Sequence, residues 1–522
     1  RQRGGTKSLL RRNQFGVNVA GPVVRRTTFV SFSYEGTREH IARAYLSTIP
    51  TAAQRTGDFS DLVDRAGQSV EIFDPASTAP NPLYDPGQVV ARENLQYHRE
   101  PFPGNRIPAS RVDRVAGTAR AHYPLPNAAV GPFLQNNYFI NTPESNTPDG
   151  MLLKLDHQLR ARHKVNVEAT RSVGFYGMPR LFPTVANPGR PDRRFDTRRL
   201  ATGDAFTISP HSILTVAVSA ATDGVLTEGG DLFPAYRLPN YLGMGPPRSA
   251  VTRSHHNTYA ASGGFTVKRG QHAVHLTGSG VREQVNLFQP EAPTGSYLFG
   301  SGLTGLPGIK NTGNEFASFL LGMAEFAEAS QVLSPSYFRR TLYQAGFRDE
   351  YDLRPGLTLS AAVSLDVSTP RLEKYDRQST VDRRRTNPAN GRAGALAFAG
   401  REGQGRAFQP VRRRLEPRLG LAWNPGGKQG TVVRVRYSRS WAPIPIYTGQ
   451  FGTQGFIGTP TFISANPQLE PAVRLEEGLP GAATPLPDLR PEAANGTIAD
   501  LLDNTGRQPV YRQASLTLER QV

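Results

Sequence analysis

The feature that most constrains this chain is a rhythm of short and long connections between segments that alternate apolar and polar residues. Leu357, Leu359, Ala361, Val363, Leu365 and Val367 take every second position, with Thr358, Ser360, Ala362, Ser364 and Asp366 between them. Val165, Val167 and Ala169 alternate with Asn166, Glu168 and Thr170, and Leu214, Val216 and Val218 with Thr215, Ala217 and Ser219. Leu419, Leu421 and Trp423 alternate with Arg418, Gly420 and Ala422. A period of two places one face of a strand against something apolar and the other against water.

The strand-like runs come in pairs: Asn13–Val24 with Thr28–Arg38, Met151–Leu159 with Lys164–Arg171, and Leu200–Ile208 with Ile213–Thr222. Tyr259–Lys268 pairs with Ala273–Val285, Leu342–Asp352 with Leu357–Ser368, and Leu415–Asn424 with Thr431–Trp441. Arg512–Arg520 is the thirteenth run and has no partner before the chain ends. Gly, Pro and Asn at the joints supply the backbone angles of hairpins. Between hairpins lie connections of about 110, 30, 35, 55, 45 and 70 residues, whereas loops above ~15 residues are uncommon in compact soluble domains. Tight turns at one end and long loops at the other are the habit of an outer-membrane barrel. A soluble β-sandwich has no reason to keep its long loops on one side. The expected fold is therefore all-β: an antiparallel transmembrane β-barrel with long extracellular loops and short periplasmic turns. Two short helices are expected inside the loops, Ser110–Tyr123 with Ser110 as its N-cap, and an amphipathic one at Glu315–Ala327.

Composition narrows the alternatives. The 522 residues contain no Cys, which excludes a disulfide framework, thiolate metal sites and Cys nucleophiles. No apolar run approaches the ~18 residues of a transmembrane helix. Gly (52) and Pro (43) are abundant, as expected of a chain rich in loops. The chain opens on Arg1 and closes on Val522 inside a strand-like run, and the expectation is a segment of a longer protein.

Several stretches resemble TonB-dependent receptors of the Oar-like, acidobacterial type. They begin with Asn13-Gln14-Phe15-Gly16, Ala20-Gly21-Pro22-Val23 and Thr28 to Arg38 (TFVSFSYEGTR). Ile49 to Ser60 (IPTAAQRTGDFS), Phe73-Asp74-Pro75, Pro101 to Pro108 (PFPGNRIP) and Tyr123 to Asn127 (YPLPN) follow. Lys154-Leu155-Asp156-His157, Phe316 to Gly322 (FASFLLG), Pro417 to Ala422 (PRLGLA) and Gln513 to Leu518 (QASLTL) continue the order. The resemblance covers nearly the whole chain and implies a barrel of twenty-two strands plugged by an N-terminal domain, importing a bound ligand with energy passed on by TonB. It implies that residues 1–12 are the end of the plug or its linker. Residues 13–522 would be the barrel, incomplete at its C-terminus and carrying a long outer loop over 39–150. The plug and the TonB contact would lie upstream. The implied location is the cell outer membrane, the implied partners are the TonB complex, outer-membrane lipid or lipopolysaccharide and an extracellular ligand, and no enzyme activity or cofactor is expected.

Candidate chemistry is sparse. Gly300-Ser301-Gly302-Leu303-Thr304-Gly305 satisfies G-x-G-x-x-G, but Pro307 and Gly308 follow where a nucleotide site needs a helix, so a flexible outer loop is expected. Gly426-Gly427-Lys428-Gln429-Gly430 looks like a phosphate loop with the wrong spacing and reads as a turn. His255-His256 and His272 with His275 are candidate metal ligands, but three residues of separation on a strand put His272 and His275 on opposite faces and no acidic residue has a supporting spacing, so solvated or turn histidines are expected; adjacent Asp349 and Glu350 would likewise face opposite ways and not converge. The basic surplus, 61 Lys+Arg against 43 Asp+Glu, gathers at Arg383, Arg384, Arg385 and Arg412, Arg413, Arg414. These six are the candidate ligand-binding residues: a solvated outer loop, or a contact with lipopolysaccharide phosphates or an anionic ligand. Aromatic residues do not interleave with them, so nucleic acid is not expected. A secreted or surface β-rich protein that binds polyanions is the alternative.

Overall fold

The computed structural model describes residues 9–520 apart from 65, 129–134, 228–232, 426–429, 443–445, 447–451, 481–484, 497–504 and 506. Among the described residues thirteen long strands, taken in chain order, form one antiparallel sheet in which each pairs with its neighbours in sequence. They are β1 (Leu10–Val24), β2 (Thr28–Ser47), β3 (Tyr138–Asn146 continuing as Asp149–Arg160), β4 (His163–Gly177), β5 (Arg193–Ser209) and β6 (Ser212–Thr227). Then come β7 (Thr252–Arg269), β8 (His272–Phe288), β9 (Ser336–Arg354), β10 (Leu357–Ser368), β11 (Arg412–Trp423), β12 (Thr431–Trp441) and β13 (Val510–Arg520). The break in β3 falls at Pro148, which has no N–H to give the ladder. Pairing nevertheless carries across it, because Thr37 N–H donates to the Pro148 carbonyl and Thr147 N–H to that of Phe175.

Register runs across the wall with irregularities only beside the tight turns. Phe206, Leu214, Phe265, Leu276, Phe347 and Val363 lie directly opposite one another on successive strands β5 to β10. Side chains in such a row share one face of the pleat. On that face Val216, Val218, Leu276, Phe347 and Leu419 are exposed, which suits contact with lipid. The other face carries ion pairs: Lys154–Asp156 at 3.5 Å, Arg199–Glu168 at 3.5 Å, Arg418–Glu416 at 3.2 Å, Arg434–Glu519 at 3.3 Å and the pair Arg340–Glu283, whose arginine is buried. The wall is thus greasy outside and charged inside. The turns demand glycine where φ is positive: Gly270 (+59°) and Gly356 (+79°), the latter also because a Cβ would stand 2.7 Å from the Asn424 carbonyl.

All thirteen expected strands are present, but most are longer than the period-two pattern. β2 and β3 stay paired up to Ser47 and Tyr138, so the first long connection spans 48–137 rather than 39–150. A membrane needs only ~9–11 residues per tilted strand. The 20 residues of β2 and the 17 of β5 therefore project beyond it at the long-loop end. The segment Tyr343–Asp352 lies inside β9 and pairs throughout with β8 and β10.

The long connections are packed, not loose. Residues from 48–137, 178–192, 233–251, 289–335 and 452–480 share one hydrophobic core. At its centre the helix Glu315–Leu320 is buried on every side, which corrects the amphipathic helix expected at Glu315–Ala327. The expected Ser110–Tyr123 helix is a 3-10 turn, a six-residue helix Arg114–Ala119 and a second 3-10 turn, and its cap is Asp113 rather than Ser110. Proline 108 and the extended Val112 stop the helix from starting earlier. A smaller core of Leu396, Phe398 and Phe456 joins the connection after β10 to the one after β12.

Candidate functional site

The lobe made by these connections is the first candidate surface, and buried polar residues set its shape. The Arg99 guanidinium donates to the carbonyls of Leu303 (3.1 Å), Gly305 (2.6 Å) and Gln468 (2.7 Å), and through Nε to Thr78 Oγ1 (2.8 Å). Three connections far apart in sequence are thereby tied to one side chain. The G-x-G-x-x-G segment is what Arg99 holds: Leu303 and Thr304 are fully buried, so the segment is a packed turn and not the flexible loop expected.

Asn314 caps the central helix, its Oδ1 accepting from Phe316 N–H (2.8 Å) and Ala317 N–H (3.2 Å). Beside it, burial raises the pKa of Glu315, opposed by its own backbone N–H and by the Asn240 amide, which donates at 2.5 Å. Glu325 is also raised, by burial first and then by the charge of Glu315. At the rim of the lobe, hydrogen bonds from Ser60 and then from Arg106 hold Asp58 down at about 2.

The two arginine triplets belong to different sheets. Arg383, Arg384 and Arg385 lie on a loop hairpin, Ser379–Thr386 with Ala393–Phe398. There Arg385 pairs with Glu402 at 2.5 Å and donates to the Leu396 carbonyl, while Arg383 and Arg384 are exposed. Arg412, Arg413 and Arg414 begin β11, where successive residues face opposite ways. Arg412 is buried; Arg414 turns inward, donates to Gln508 at 3.1 Å and lies over the Trp441 ring at 4.6 Å; Arg413 alone faces outward. The two triplets are therefore not one patch.

The outward wall carries a pattern that the sequence reading missed. On β4, β8 and β11 the outward positions are mostly apolar from the tight turns upward and then become arginine. In β4, Val165, Val167 and Ala169 lead to Arg171; in β8, Leu276, Gly278 and Gly280 lead to Arg282; in β11, Leu419, Pro417 and Leu415 lead to Arg413. Continuing the period of two past the apolar stretch would have found these residues.

Above the arginines of β4 and β5 lies a groove of about 560 Å³ on β3 to β7. Two rows in register line it, Asp149–Val173–Asp196–Gly224–His255 and Phe175–Arg194–Leu226–Arg253. The Arg194 guanidinium lies 5.7 Å from the Phe175 ring centre and that of Arg253 lies 6.0 Å from Phe288. Asp149 is taken up by Arg38 (3.0 Å) and Tyr34 (2.7 Å), and Asp196 by Arg171 (3.2 Å) and Arg198 (2.5 Å).

At the tight-turn end a second arrangement occurs twice. His163 stacks on Phe206 (4.2 Å, 11°) and bonds Asp204 (2.9 Å); His272 stacks on Tyr351 (4.3 Å, 6°) and bonds Asp349 (2.8 Å). Each histidine starts its strand, faces outward and meets an aspartate two residues from the aromatic ring on the next strand. Each group is apolar in body and polar at the tip, the chemistry that suits a membrane interface. His275 faces the interior and pairs with Thr266 (3.1 Å), while His256 faces Glu283 (3.9 Å). Among the described residues no group of three His, Asp or Glu side chains gathers as a metal site. Asp349 and Glu350 diverge, Glu350 pairing with Arg348 on the inner face. The phosphate-loop lookalike at Gly426 to Gln429, and residues 1–8 of the expected linker, lie outside the described residues.

Residues 1–522 match the family described as outer membrane beta barrel domain, and the chain belongs to that family. The protein is an all-β resident of the cell outer membrane, in a family of barrels and not of enzymes. Solved structures similar to it include the copper transporter OprC (9% identity, TM-score 0.39, covering 84% of this chain and 45% of that one). The ferric yersiniabactin uptake receptor FyuA from Yersinia pestis is similar at 8% identity and TM-score 0.33, over 88% and 51% of the two chains. A ferric enterobactin receptor, PfeA from Pseudomonas aeruginosa, is similar at 10% identity and TM-score 0.32, over 82% and 50%. The chain spans about half the length of these structures. No curated protein matches it.

Proposed function

We propose that this chain is the wall and outer lobe of a TonB-dependent receptor of the Oar-like kind, which binds a ligand at the lobe and imports it through a plugged barrel. The observation that carries the reading is the gathering of five long connections into one core at one end of the wall. A receptor needs such a fixed platform on the outside; a simple pore does not. The charged inner face supports a wide aqueous interior, which requires a plug if the membrane is to stay sealed.

Strand parity supports the further view that the barrel is completed by other polypeptide. In an up-and-down sheet of thirteen strands, β1 and β13 run in the same direction. Antiparallel closure then needs an odd number of additional strands, and in lipid neither edge can stay unpaired. Nine more would give the twenty-two implied by the sequence resemblance. Of the arginine triplets, exposure favours Arg383 and Arg384 on the hairpin, and the outward direction of its side chain favours Arg413, as contacts for an anion.

The test is co-isolation of the full-length gene product from outer membranes with the periplasmic domain of TonB. Capture that is lost when the polypeptide upstream of Arg1 is deleted supports the reading. Failure of the intact protein to capture TonB overturns it.

A further inference from the structure

We propose that the tight-turn rim of the wall is a docking surface for a carboxylate-bearing polymer, the peptidoglycan mesh that lies beneath the outer membrane. Five tight turns fall wholly within the described residues, at 25–27, 161–162, 210–211, 270–271 and 355–356. Four of them carry Arg or Lys in the turn or within two residues of it: Arg25 and Arg26, Arg160 and Arg162, Lys268 and Arg269, and Arg354. The remaining turn, between β5 and β6, holds His211. All seven cations are exposed, and none of the five turns contains Asp or Glu.

These charges are uncommitted. Along the wall Arg171, Arg199, Arg348, Arg418 and Arg434 each pair with a carboxylate. The seven at the rim form no ion pair among the described residues, and Arg162 alone uses its guanidinium in a hydrogen bond there, to the Ile208 carbonyl at 3.3 Å. The nearest acids are occupied: Asp204 by His163 (2.9 Å), Asp349 by His272 (2.8 Å) and Asp352 by the Thr358 hydroxyl (2.8 Å). Arg26 moreover holds φ at +66°, where local structure alone favours Gly or Asn. The cations form an arc and not a cluster, because successive hairpins stand two strands apart, about 10 Å along the rim. An extended polymer with carboxylates at intervals meets several points of such an arc at once, whereas a compact acidic patch on a folded protein covers one or two turns. Lipid headgroups are met from the side, where the stacked pairs His163–Phe206 and His272–Tyr351 have the suitable chemistry, and the cations lie on the turn side of those pairs. The inference stands on the outer-membrane placement and not on energised import, so it survives if the TonB reading fails.

The test is cosedimentation of the full-length protein, in detergent, with purified peptidoglycan sacculi; the heat-dependent shift of the folded band on gels confirms folding. Sacculi whose carboxylates have been amidated are the second probe. Dihexanoyl phosphatidylglycerol below its micelle concentration is the third, a soluble competitor with an anionic lipid headgroup. Intact sacculi are expected to bind, and less so as salt rises. The combined Arg25→Gln, Arg26→Gln, Arg160→Gln and Arg269→Gln variant is expected to weaken binding roughly tenfold, the sum of several exposed ion pairs. Arg114→Gln, Lys310→Gln, Arg392→Gln and Arg401→Gln together remove four exposed charges from the long connections and are expected to change binding less than about twofold. The short-chain lipid is expected not to compete. The proposal is overturned if amidated sacculi bind equally well, if the short-chain lipid displaces the protein, or if the two quadruple variants bind alike, as they would were another part of the full-length protein responsible. Should the rim variant fail to fold, Arg160→Gln with Arg269→Gln carries the same comparison.

Discussion

Asp113 and Glu476 are 363 positions apart, and the Asp113 carboxylate accepts a hydrogen bond from the Glu476 backbone N–H at 3.2 Å. The other oxygen of the same carboxylate caps the helix Arg114–Ala119 by accepting from Ala116 N–H at 2.9 Å. One side chain thus fixes the first long connection to the last. Asp113→Ala should cost about 1 kcal/mol for the cap and ~1–3 kcal/mol more for the orphaned N–H. Gly322→Ala should act on the same joint, since Gly322 sits at φ +67° with its Cβ position 2.6 Å from the Asp113 carboxyl carbon. Limited proteolysis of folded protein in detergent checks both, with cleavage expected inside 48–137 and 452–480 while the wall resists.

Arg99 offers a second lever on the lobe. Arg99→Ala leaves the carbonyls of Leu303, Gly305 and Gln468 without their donor, at ~1–3 kcal/mol for each group that water cannot reach. Arg99→Lys restores a charge but not the fork and should recover only part of the loss. Hydrogen exchange at 301–306 and 466–470 is the measurement; unchanged protection in Arg99→Ala would contradict the role given to this side chain.

The assignment of wall faces makes a paired prediction. Val216→Arg puts a charge on the apolar face and should destabilise the barrel by about 2–4 kcal/mol. Ala217→Arg, one residue on, points to the charged interior and should assemble almost normally. The amount of heat-modifiable protein in outer membranes distinguishes them; equal assembly of the two variants would mean that the wall is not in lipid, and failure of Ala217→Arg alone would mean that the faces are reversed.

Glu315 makes the lobe sensitive to pH in a definite direction. Its folded pKa is raised by burial, so between the unfolded value near 4.3 and the folded one the native state holds the extra proton. Stability is then highest below the unfolded pKa and declines as pH rises through this window. Glu315→Gln keeps an acceptor for Asn240 and removes the ionisation. It should raise the melting temperature of the lobe at pH 7 and leave it nearly unchanged at pH 4, as differential scanning fluorimetry at the two pH values would show.

The wall was legible in the sequence because lipid on one side and water on the other impose a period of two, and each of the thirteen strands carries that mark. Strand ends were not, because above the membrane both faces meet water: Glu39-His40-Ile41-Ala42-Arg43 still pairs within β2 but shows no alternation. The lobe core was hidden for a different reason. Ile49, Phe59, Phe102 and Phe182 are single apolar residues scattered among Gly, Pro and polar residues, and they meet only through tertiary packing. Arg99 was equally unreadable, since its partners are mostly backbone carbonyls, which no sequence letter marks. The arginine triplets were conspicuous as charge, yet adjacency in the chain misled, because the strand turns Arg413 away from Arg412 and Arg414.

The shared core of the lobe has a consequence for how such a protein diversifies. Segments that each return to one buried centre cannot be swapped like cassettes, because replacing any one removes packing from the other four. Under the receptor reading, new binding preferences arise from substitutions on the solvent side of a retained scaffold. A graft of one foreign segment is expected to unsettle its companions before it confers any new affinity.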